Sequence, residues 1–148
     1  MAFDVRNKNM ASEFVNVDLE VSSSNSLDYL CTEFQDGGAR KMFCGPTSHN
    51  RYFASFECDE HLADPNSLIT MFLGMVESLD ERAANQWAAA ESKIFDIGYE
   101  ADSEQGIFRS DLSSEVVKRI SDFGASLRIT IYPKTDANKT SHSTADRA

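Results

Sequence analysis

"LSSEVVKRISDFGASLRITIYP", residues 112–133, reads as one helix handing over to one strand. Ser113 can accept a hydrogen bond from the first turn as an N-cap, and Glu115 complements the positive end of the helix dipole. Val116, Val117, Ile120 and Phe123 recur at helical spacing and predict the buried face. Gly124 then ends the helix. Beyond it the period drops to two. Leu127, Ile129 and Ile131 point one way and Arg128, Thr130 and Tyr132 the other, until Pro133 removes the next ladder donor. Every signal in the unit serves folding, so it reads as scaffold. Its three outward residues alone stand unassigned.

The same two periods organise the rest of the chain. "FVNVDLEV" alternates strictly, which predicts a half-buried strand with Val15, Val17, Leu19 and Val21 inward and Asn16, Asp18 and Glu20 outward. A cap from "SSSN" precedes Leu27, Leu30, Cys31 and Phe34, one helical stripe that Gly37 stops. "ARKMFCG" and "RYFASFEC" predict a hairpin around "PTSHN". Asp64 as cap and Pro65 at the first helical position open the next helix, with Leu68, Phe72, Met75, Val76 and Leu79 inward. Asp80 starts a further helical piece that turns Ala83, Ala84 and Trp87 inward. "KIFDIGYE" and "GIFRSDL" follow as two expected strands.

The order predicts an α+β fold: a ferredoxin-like βαββαβ unit followed by a βαβ unit that extends one mainly antiparallel sheet, with all helices on one face. At 148 residues the chain holds one domain with a real core. We place that domain at residues 13–133, between a flexible N-terminus (1–12) and a polar tail (134–148) without Leu, Ile, Val or aromatic residues, expected to be disordered. Within the domain nine basic side chains face 21 acidic ones, a net of −12. Such a surface repels phosphate backbones, argues against nucleic acid, and favours a basic partner. No stretch is long and apolar enough to suggest a membrane span, and the opening residues lack a secretory signal, so a cytoplasmic location is expected. Three cysteines without framework spacing are expected to remain reduced.

Few constellations carry chemistry. Cys44, His49, Cys58 and His61 supply the ligand types zinc accepts. If "SHN" is the hairpin tip, however, Cys58 lies about 23 Å along the strand from it, too far for four ligands to converge. Cys58 beside Glu57, Asp59 and Glu60 is a poor candidate for an activated thiolate, because those carboxylates disfavour a second negative charge. "RYFASFEC" echoes an RNA-recognition strand at Arg51, Phe53 and Ala54, yet lacks the later aromatics. Gly37-Gly38 leaves a helix rather than entering one, so it does not cradle phosphate. Asp18 and Glu20 share a wet strand face, where carboxylates are ordinarily solvated. Asp96 differs: it interrupts the apolar centre of "KIFDIGYE" and needs a partner, which Arg109 or Arg128 on nearby strands could provide.

"FDIGYEAD" and then "GIFRSDLSSEVVKRISDFGASLRITIYP" resemble the closing half of small bacterial α+β domains of unknown function. The resemblance covers residues 94–133 and implies the same fold and a bacterial cytosolic origin. No catalytic or binding residue comes with it. The expectation is therefore a non-catalytic interaction domain acting through its open sheet face or an edge strand, as a homodimer or with a basic protein, and without cofactor, metal or membrane. The alternative is a small-molecule-binding protein or enzyme whose pocket lies among Asp96, Arg109, Arg128, Thr130 and Tyr132 on that open face.

Overall fold

The computed structural model describes residues 12–58, 64–102, 104 and 106–134. Its elements run β1 (Glu13–Ser23), α1 (Asp28–Asp36), β2 (Arg40–Thr47), a single 3-10 turn (Ser48–Asn50), β3 (Arg51–Glu57), α2 (Pro65–Glu77), α3 (Glu81–Ala89), β4 (Ser92–Ala101), α4 (Ser114–Asp122) and β5 (Ser126–Pro133). The strands form one sheet in the order β2-β3-β1-β4-β5. Every neighbouring pair is antiparallel except β4 and β5. This is the ferredoxin-like βαββαβ core with an added βαβ. The added unit uses β4 as its first strand, since residues 106–112, expected as a separate strand, form a loop that leads into α4.

Helices cover one face. Val17, Leu19 and Val21 of β1, Phe56 of β3 and Phe95 and Ile97 of β4 are buried there against Leu30 and Phe34 of α1 and Ile69, Phe72 and Leu73 of α2. Phe34 is the hub, its ring lying 4.9 Å from Phe56, 6.4 Å from Phe72 and 6.2 Å from Trp87. Local caps set the helix starts. Asp64 accepts from the Ser67 N–H (2.8 Å), Asp80 from Ala83 (2.9 Å) and Ser113 from Val116 (3.2 Å). The first helix departs from expectation, because its N-cap is Leu27 and the nearby Ser26 caps only the Asp28 N–H (3.2 Å). Gln86 of α3 caps the helix from afar, its Oε1 accepting from the Leu30 N–H (2.9 Å) while its Nε2 donates to Asp28 (2.8 Å).

Three expectations about packing are corrected. The register of β1 on β4 shifts between Phe14 and Asn16, so Phe14 packs against the core and Val15, expected inward, is about half exposed. Val117 is likewise exposed, and the buried face of α4 narrows to Val116 and Ile120. Cys31 and Cys44, expected as thiols, form a disulfide that ties α1 to β2. The pairing is invisible to spacing because only the return of β2 beneath α1 brings the two Cα atoms to 6.7 Å. Lys134, assigned to the tail, also joins the fold: its N–H donates to Ala101 and its Nζ meets Glu13 (3.1 Å). Residues 1–11 and 135–148, which hold most of the two expected flexible ends, lie outside the described residues, as does His61.

Candidate functional site

The uncovered sheet face collects most of the residues expected on it. Pairing sets Asp18 beside Glu57 on one side and Asp96 on the other, and sets Asp96 beside Arg128. Asp96 finds the partner its position requires. Arg128 Nη1 lies 3.3 Å from Asp96 Oδ2 and 2.9 Å from Glu20 Oε1, and the Thr130 hydroxyl donates to Asp96 Oδ1 at 2.6 Å. At the other flank Arg40 pairs with Glu57, which also accepts from Asn16 Nδ2 (3.2 Å). Between these two ion pairs sits Asp18. Its carboxyl pKa is raised, chiefly by burial and then by the Asp96 and Glu20 charges.

Of the five sequence-derived site residues, the structure brings together Asp96, Arg128 and Thr130. Tyr132 lies further along the same strand, half exposed, beside Gly98, where the β-carbon of any larger residue would sit 3.5 Å from its ring. Arg109 is elsewhere, exposed in the loop between β4 and α4. The zinc constellation is also dispersed among the described residues. Cys44 is consumed by its disulfide, His49 sits at the hairpin tip, and Cys58 follows Glu57 at the hairpin's opposite end.

A second region was not foreseen. On the helix side, beyond the cover of α4, a cavity of about 250 Å³ is lined by Tyr99, Ala101, Phe108, Ser110, Ile129 and Ile131. The 106–113 loop folds over β4 so that the Tyr99 ring meets Phe108 at 5.6 Å, and the Tyr99 hydroxyl pairs with Ser110 at 2.8 Å. The outer wall is β5 itself. Leu127, Ile129 and Ile131 do face the helix layer, but they are 41%, 51% and 61% exposed, and Ile107, in the loop before α4, is 81% exposed. The signal was present in sequence as the apolar pair Ile107-Phe108, read there as a strand. What spacing could not show is that α4 leaves the outermost strand uncovered. Comparison of the chain with family models, curated proteins and solved structures found no match.

Proposed function

We propose that this domain is a non-catalytic interaction module that binds protein by strand addition at its β5 edge. The observation that carries it is the concentration of exposed Leu127, Ile129, Ile131 and Phe108 at one edge strand that no other described element covers. An unblocked edge offers backbone donors and acceptors as a template, and the alternate side chains beside it supply specificity. The acidic remainder of the surface suits either a basic partner or a second chain that meets it only along this neutral strand. The alternative of a ligand or catalytic pocket on the open face has less support. Asp96 and Glu20 both pair with Arg128, the Thr130 hydroxyl donates to Asp96, and the cavity lies on the opposite face of the sheet.

Site-specific photo-crosslinking tests the reading. A benzoylphenylalanine at Ile131 gives a protein adduct that Ile129→Lys abolishes, whereas the same probe at Met71, exposed on α2, gives none. Absence of an adduct at Ile131, or equal adducts at both positions, contradicts it.

A further inference from the structure

The backbone of β5 specifies what kind of partner fits. The Lys134 N–H donates to the Ala101 carbonyl at 3.0 Å, one residue beyond a ladder that runs without a register shift from Ile94/Ser126 to Ala101/Pro133. In a parallel ladder every second residue turns both its N–H and its C=O to the neighbour. Counting back from Lys134, the even-numbered residues of β5 are bonded to β4. Leu127, Ile129 and Ile131 therefore turn their backbone groups outward, and their side chains lie together on the helix side. Pro133 is the next in this outward set and has no N–H, which ends the template at Ile131.

We infer that the occupant is a second copy of this chain, paired antiparallel through β5 about a two-fold axis at Ile129. This rests on the strand-addition reading above and names its partner. The outward template is self-complementary: with Ile129 opposite its own copy, Leu127 of each chain faces Ile131 of the other. All three are outward-bonding positions, giving about six backbone hydrogen bonds and a continuous row of apolar cross-strand pairs. A one-residue slip would set outward groups against groups already bonded to β4. The charges also permit it. On the other face Arg128 falls opposite Thr130 of the second copy, and each guanidinium is already neutralised by Glu20 and Asp96. No acidic residue lies on β5, so a chain of net charge −10 meets its copy where like-charge repulsion is least. The exposed fractions of Phe108, Leu127, Ile129 and Ile131 amount to on the order of 400 Å² of apolar surface, to which the backbone and polar atoms of β5 add, against the roughly 800 Å² per partner of a stable dimer. Closed two-fold pairing also removes the edge.

Sedimentation of the full chain at micromolar concentration tests the pairing, joined to cysteine variants in a Cys58→Ser background. The expected result is twice the chain mass, returning to monomer with Ile129→Lys through at least a 100-fold loss in affinity, while Met71→Lys stays dimeric. Directly opposed residues in such a pair have Cα atoms about 5.5 Å apart, within disulfide reach. Ile129→Cys alone should therefore give a covalent dimer, and Leu127→Cys or Ile131→Cys alone should not. A monomer at 100 µM, or a dimer that Ile129→Lys leaves intact, overturns the inference. The strand-addition reading fails separately: a monomer that still gives the Ile129-dependent adduct at Ile131 keeps that reading and sinks only self-pairing, whereas a monomer without the adduct sinks both.

Discussion

The two edges of the sheet are built on opposite plans. At the β2 edge the chain places Lys41, a register shift between Lys41 and Phe43, and Pro46 near the strand's end. Each of these discourages another strand from docking. Cys44 is bonded to Cys31 of α1, and the exposed Phe43 ring turns to the open face, 6.1 Å from Phe53. The β5 edge has none of these devices before Pro133. Its ladder is unshifted, its one cation is engaged, and its apolar row is uncovered. One protein can thus close one edge and leave the other available to a further strand, and the proposed function rests on that difference.

The comparison breaks most readily at the disulfide. Reduction, or Cys44→Ala, frees a loop of 13 residues and should cost about 2–3 kcal/mol in chemical denaturation. The same change should raise amide exchange along β2 while leaving β5 unaltered. On the β5 side the anchor is Trp87, whose Nε1–H donates to the Phe123 carbonyl at 3.0 Å and so holds the end of α4. Trp87→Phe strands a half-buried carbonyl and should cost about 1–2 kcal/mol, with its largest exchange increase at Gly124 and Ala125.

Smaller changes sharpen the contrast. His49 and Asn50 at the β2–β3 tip both adopt left-handed backbone, with φ of 65° and 59°. His49→Gly relieves that strain at some entropic cost and should stabilise by about 0.5 kcal/mol, tightening the closed edge alone. Asp18, midway between the edges, has the smallest expected effect. Because its folded pKa is raised, its ionised form opposes folding: the penalty is absent below the unfolded value and complete once pH exceeds the folded one. Asp18→Asn should therefore stabilise by a few tenths of a kcal/mol at pH 7, and thermal melts should show the gain vanish as pH falls toward 3.8 and below.

What was legible in the sequence was whatever neighbours along the chain decide. Leu30, Cys31 and Phe34, or Asp64 followed by Pro65 and Leu68, announce helix, face and start within one or two turns. The ferredoxin-like core followed from the same local elements and the few ways of connecting them. Properties set between distant segments were not legible. The bulge at Val15 depends on how β4 registers against β1, and the disulfide on the return of β2 beneath α1. Residues 106–112 had strand composition, but β5 takes the place beside β4 that their position in the chain suggested for them. The candidate site divides the same way. The Asp96–Arg128 contact was foreseeable because an acid in an apolar strand demands a cation, whereas the exposure of Leu127, Ile129 and Ile131 depends on how far α4 reaches across the sheet.

Site-resolved amide exchange at several protein concentrations tests the central claim most directly. The predicted result is protection at Leu127, Ile129 and Ile131 that grows with concentration and is lost in Ile129→Lys, while the amides of β2 keep one rate throughout. Fast exchange of those three amides at every concentration, or concentration-dependent protection at β2 instead, would contradict the account.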